Sequence, residues 1–98
     1  MKQESKWAYT IEIKLIKGEG VCPAGHKIGD TWVFPGDTEQ IRCEKGICIH
    51  ALASMLPKIV AMRYGAQLPW LKENPDVATH MCPDAVNPHV FEIRRLRA

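Results

Sequence analysis

One stretch of this chain has helical spacing, and segments with the alternation of β-strands lie on both sides of it. Apolar residues recur at helical intervals across residues 47–64. Residues 7–17 and 90–96 instead alternate between apolar and polar side chains, as half-buried strands do. A helix between strands predicts an α+β domain, in which a small, mostly antiparallel sheet packs against the helical segment. The length of the chain predicts a single domain over residues 1–98.

The central helical segment contains residues that predict a kink or break within it and its end. Its apolar stripe includes Cys48, Met55 and Ile59. Pro57 stands inside the pattern, and a proline there removes a backbone hydrogen bond and crowds the preceding turn. The segment is therefore expected to be kinked at Pro57 or broken into two short helices. Gly65 is the predicted C-cap.

Two shorter segments complete the predicted sheet. Residues 30–34 form a short strand, and the turn composition of residues 35–37 follows it. Residues 77–80 are a candidate third strand between two proline-rich loops.

Charge and hydropathy limit the partners. The net charge of +2 is too small to indicate nucleic acid as the main partner. No secretory leader and no run of about 20 apolar residues is visible, so no membrane partner is expected and the predicted location is the cytoplasm. The arginines near the end of the chain, Arg94, Arg95 and Arg97, are predicted to lie on a solvated strand face. Homo-oligomerisation stays open.

Four cysteines carry the functional signal: Cys22, Cys43, Cys48 and Cys82. In the cytoplasm thiols stay reduced, so cysteines there more often serve metals or catalysis than structural disulfides. The four never form the tight Cys-x2-Cys pairs of zinc knuckles. Zinc is therefore kept only as an alternative metal.

The surroundings of three cysteines indicate an iron–sulfur centre instead. Cys22 and Cys82 each precede a proline, as some cluster ligands do. Cys48 opens the helical segment, where exposed backbone N–H groups would stabilise its thiolate. Three thiolates from three distant segments could hold a cluster that leaves one iron open.

The histidines offer further donors. His26 follows Cys22 by four positions and is a candidate ligand or acid–base group, with turn capping as the alternative. His80 has the spacing to share a face with Cys82. His50 is expected to be exposed, and His89 is expected to lie on a surface turn.

Several motifs together resemble a family of small prokaryotic proteins of about this length, frequent in anaerobes and without an assigned function. They span residues 22–30, 62–70, 82–84 and 90–96. The resemblance implies cysteines at the positions of Cys22, Cys48 and Cys82. Cys43 would then be a spare thiol or an extra ligand. Ala66 departs from the family pattern, which has glycine there.

Three hypotheses of different classes follow. The first is an iron–sulfur or metal-binding accessory protein for sulfur or electron handling. Its ligands would be Cys22, Cys48 and Cys82, with His26 or Cys43 as a fourth. The second is a thiol enzyme or redox switch that uses Cys48. The third is an interaction domain whose cysteines only pack, so whether the protein is an enzyme stays undecided.

Overall fold

The computed structural model describes residues 8–22, 24–41 and 46–97. It contains four strands and one helix, which confirms the predicted α+β class. In chain order the elements are β1 (Thr10–Gly18), β2 (Thr31–Phe34), α1 (Ile49–Arg63), β3 (Val77–Met81) and β4 (His89–Leu96).

The strands form one antiparallel sheet in the order β2-β1-β4-β3. β1 and β4 are the central pair, with Ile13 opposite Ile93. The register shifts between Leu15 and Lys17, which lets Gly18 lie opposite His89. The first and last strands of the fold are therefore neighbours at the centre of the sheet.

α1 covers one face of this sheet. Met55 and Ile59 are fully or almost fully buried against the apolar positions of the central strands, including Ile13 and Ile93. Burial of each such side chain stabilises the fold by about 1.5–3 kcal/mol relative to exposure. The helical periodicity thus identified the face of α1 that packs on the sheet.

Pro57 lies inside α1, which runs through it as a single helix of 15 residues. The carbonyl that loses its N–H partner belongs to Ala53, and both residues are exposed. Water can therefore bond that carbonyl, so the helix is not broken.

The helix ends in a Schellman motif. Gly65 has a φ of 91°, a conformation that glycine adopts without strain. Its N–H donates to the Met62 carbonyl (3.1 Å), and the N–H of Ala66 donates to that of Ala61 (3.0 Å). The predicted C-cap is confirmed.

Arg95 occupies the core face of β4 beyond this helix end and is only 2% exposed. Its Nη1 donates to the carbonyls of Met62 (3.0 Å) and Ala66 (2.8 Å). Its Nη2 donates to the Pro75 carbonyl (2.9 Å), and its Nε donates to the Asp76 carboxylate (3.0 Å). The prediction of a solvated arginine was wrong for Arg95, because the guanidinium joins α1, β4 and the loop before β3.

Asp76 also accepts a hydrogen bond from Arg97 Nε at 2.8 Å. The hydrogen bond and charge of Arg97, with those of Arg95, hold the pKa of the Asp76 carboxyl below its usual value despite partial desolvation. No helix in the described part of the chain is both long and apolar enough to span a membrane.

Candidate functional site

A cavity of about 420 Å³ lies where the N-terminal end of α1 meets the sheet and two loops. Its lining includes three thiols and three imidazoles: Cys22, Cys48, Cys82, His26, His50 and His89. The three cysteines come from the β1–β2 loop, the start of α1 and the segment after β3. The structure thus brings the three singled-out thiols to one cavity, and all three are free.

Cys48 is the N-cap residue of α1. Its carbonyl accepts the Leu52 N–H at 2.9 Å, which starts the helix. Its thiol makes no capping hydrogen bond, and no acidic residue occupies the first turn. The first N–H groups of a helix lack intrahelical partners, so this end of the cavity has a positive potential that favours a thiolate or another anion.

His26 fixes the approach of the chain to this helix. Its Nε2 lies 3.0 Å from the backbone nitrogen of Cys48, whose N–H donates to it. The acceptor nitrogen carries no proton, so the neutral ring is protonated at Nδ1. The ring also packs edge-on against Trp32, with centroids 4.8 Å apart. His26 therefore lies beside the cavity, with its Nε2 lone pair engaged by Cys48.

The loop from Cys82 to His89 is organised by a carboxylate and an amide. Asp84 Oδ1 accepts the backbone N–H groups of Val86 (3.1 Å) and Asn87 (3.2 Å), and Oδ2 accepts the Asn87 side-chain amide (3.3 Å). These bonds, led by the one from the Asn87 side chain, lower the pKa of the Asp84 carboxyl. The result is a compact turn that holds Asn87 in place.

Asn87 joins this turn to the β1–β2 loop. Its side-chain oxygen accepts the Val21 N–H at 3.1 Å, directly before Cys22. The Glu19 N–H donates to the Pro88 carbonyl at 2.9 Å, which supports the same contact. Gly20 has a φ of 73° and lies so close to the Asn87 side chain that a Cβ would collide with it. Cys22 and Cys82 therefore reach the cavity through one loop–loop contact.

Cys82 continues the pairing of β3 with β4. Its N–H donates to the His89 carbonyl at 2.9 Å, and its Sγ lies 3.9 Å from the Asn87 carbonyl oxygen. Cys48 and Cys82 are half-buried and also pack against the core. The thiols therefore line a wall that is partly apolar.

His89 contradicts its predicted position on a surface turn. It is the first residue of β4, lies on the core face and is only 7% exposed. Its Nδ1 lies 2.8 Å from the Asn87 carbonyl oxygen, which can only accept, so Nδ1 carries the proton. The ring packs on Gly18, where an added Cβ would lie 2.7 Å from Nε2. Sequence analysis missed this residue although Phe91 and Ile93 share its parity along β4.

His80 lies away from the cavity, against the middle of α1. The Ser54 hydroxyl donates to the Ala51 carbonyl at 2.9 Å, so it accepts from His80 Nε2 at 3.0 Å. Desolvation, together with the charge of Lys58, lowers the pKa of His80. His80 and Cys82 belong to the same extended segment, but His80 does not line the cavity.

The two remaining candidate donors are His50 and Cys43. His50 is exposed as expected and lies on the rim, where an adjoining depression of about 820 Å³ shares His26, Cys48 and His50 with the cavity. Cys43 lies outside the described residues. Within the described ranges, no three His, Cys, Asp or Glu side chains are grouped to hold a single metal ion.

Comparison of the chain with models of protein families, with curated proteins and with solved structures finds no match. The resemblance to a family of small prokaryotic proteins therefore stays a prediction.

Proposed function

We propose that this protein binds an iron–sulfur cluster through Cys22, Cys48 and Cys82 and acts as an accessory in sulfur or electron handling. The observation that carries the proposal is that these three cysteines line one cavity of about 420 Å³ although they come from three distant segments. Cysteine thiolates are the usual protein ligands of such clusters.

Zinc is the alternative metal for the same three thiols, and metal analysis of the purified protein distinguishes it from a cluster.

The electrostatics of the cavity also support thiolate ligands. Cys48 lines the cavity at the N-terminus of α1, where the first N–H groups of the helix lack intrahelical partners and favour negative charge. The half-buried surroundings of Cys48 and Cys82 would limit access of water to a bound cluster. Solvent exclusion and hydrogen bonds to sulfur are the usual means by which a protein tunes such a centre.

The test is anaerobic reconstitution with iron and sulfide, followed by iron and sulfide analysis and an absorption spectrum between about 300 and 500 nm, where these centres absorb. The native protein is expected to gain both elements and the absorption. A variant with Cys22→Ser, Cys48→Ser and Cys82→Ser is expected to gain neither, while Cys43→Ser is the matched single-thiol control. A folded native protein that acquires no cluster, or a triple variant that acquires the same one, would refute the proposal.

A second candidate is thiol chemistry at Cys48, favoured by its position as an N-cap without a capping hydrogen bond. A helix N-terminus raises the thiolate fraction of a cysteine and with it the rate of alkylation. In the metal-free protein Cys48 is expected to alkylate faster than Cys22 at neutral pH. Equal rates for the two thiols would remove the support for this candidate.

A further inference from the structure

We infer that His89 is the fourth protein ligand of the proposed cluster, coordinating through Nε2, and that His26 is not. The inference rests on the proposed function, because it names a ligand of that same centre. It starts from the two buried or half-buried imidazoles of the cavity, whose hydrogen bonds differ in one respect.

His26 and His89 have the same tautomer. Each neutral ring carries its proton on Nδ1, because the Cys48 N–H donates to Nε2 of His26 and the Asn87 carbonyl accepts from Nδ1 of His89. A ring in this form offers the lone pair of Nε2 to a metal. That lone pair is engaged by the protein in His26, whereas His89 Nε2 has no hydrogen-bond partner in the described part of the chain.

The free nitrogen of His89 is accessible although the residue as a whole is largely buried. The residue is 7% exposed and contributes to the cavity wall beside the three thiols. Its Nε2 is not a sealed polar atom, because it keeps contact with solvent. A lone pair that solvent reaches is available to a ligand bound in the cavity.

The other side of the ring has the support that a metal-binding imidazole needs. Histidine ligands almost always donate their second N–H to a carbonyl or carboxylate, which fixes the tautomer and the ring orientation. Here the Asn87 carbonyl accepts at 2.8 Å, and Asp84 holds Asn87 through two hydrogen bonds and accepts a third from the Val86 N–H. This support is built on the same turn that positions Cys82.

Gly18 completes the arrangement on the opposite strand. A Cβ at this position would collide with the His89 ring, so only glycine leaves room for the imidazole to lie in its observed place. Imidazole is a suitable ligand for iron and replaces cysteine at one iron in some cluster proteins. Three thiolates and His89 would therefore complete a four-ligand set from the described residues, without Cys43.

The experiment is pulsed electron paramagnetic resonance on the reconstituted, dithionite-reduced protein, with natural-abundance and ¹⁵N-histidine samples. The native protein is expected to show a strong histidine nitrogen coupling that changes on ¹⁵N labelling. His26→Gln keeps an acceptor for the Cys48 N–H and is expected to retain the coupling. His89→Ala is expected to lose it, and His89→Cys is expected to restore a stable cluster without it.

The outcomes separate this inference from the proposed function. Absence of any cluster in the native protein overturns both. A native cluster without histidine coupling, or one whose coupling disappears in His26→Gln and persists in His89→Ala, overturns only the assignment of His89. Where His89→Ala fails to fold, the labelled native sample still shows whether a histidine is coupled, and His26→Gln shows whether that histidine is His26.

Discussion

The two ends of α1 meet the sheet in opposite ways. At its C-terminal end, the buried guanidinium of Arg95 donates to three backbone carbonyls and one carboxylate. At its N-terminal end lies a cavity with three free thiols, and the buried His89 uses only Nδ1. Both residues lie on the core face of β4, roughly 20 Å apart by the rise of a strand. One strand therefore carries a polar group whose donors are all engaged within the fold and another whose second nitrogen is free for a ligand.

The largest expected effect concerns the arginine end. Arg95→Met is expected to lower the free energy of unfolding by about 3–5 kcal/mol, because it leaves the carbonyls at the helix end without their donor and removes one of the two arginine partners of Asp76. Urea denaturation measures it. Arg94→Met is the matched control, since that side chain is 42% exposed, and its effect should stay within about 0.5 kcal/mol. Equal effects of the two changes would mean that the hydrogen bonds of Arg95 add no measurable stability at this end of α1.

A smaller effect is expected where Gly18 contacts His89. Gly18→Ala should lower the free energy of unfolding by about 1–3 kcal/mol, because the new methyl group collides with the buried ring. Gly46→Ala is the control, since a Cβ there meets no atom within 4 Å. Chemical denaturation of both variants tests this, and an unaffected Gly18→Ala would mean that the His89 ring is free to move away.

The acid side of the stability curve should also distinguish the two ends. Asp76 and Asp84 both have a lowered pKa. Each therefore adds stability that is complete above the ordinary carboxyl pKa of about 3.9 and is lost as pH falls through the lower folded value. Asp76→Asn is expected to flatten this acid loss more than Asp84→Asn, since Asp76 has two arginine partners. Unfolding free energies from pH 2 to 6 would show it, and the reverse order would contradict it.

The smallest effect is expected from the thiols in the metal-free protein. Cys22→Ser should change the free energy of unfolding by less than about 1 kcal/mol, because the side chain is only half-buried and accepts no described hydrogen bond. Urea denaturation under reducing conditions measures it. A loss as large as that of Arg95→Met would mean that Cys22 stabilises the fold by packing. That result would support the third hypothesis, an interaction domain whose cysteines only pack.

Sequence patterns predicted the helix and the strands better than they predicted which polar residues are buried. The periodicity of Met55 and Ile59 identified the packed face of α1, and alternation identified β1 and β4. The same alternation, extended by one residue pair in each direction from Phe91 and Ile93, places His89 and Arg95 on the core face. That signal was present, but the polarity of both residues argued for exposure, and only their tertiary partners make burial favourable.

The sequence predicted only part of the candidate site. Flanking prolines singled out Cys22 and Cys82, the start of the helical segment singled out Cys48, and the fold brings all three to one cavity. The engagement of His26 by the Cys48 N–H could not be read from the chain, because it joins residues 22 positions apart.

The loop–loop contact made by Asn87 has a consequence for folding during protein synthesis. It joins Val21 to a residue 66 positions later, which lies just before the strand that pairs with β1. A growing chain on the ribosome therefore displays Cys22 and Cys48 as separate, unsheltered thiols until the segment through β4 has emerged. The three thiols of the cavity can therefore act together only after that stage.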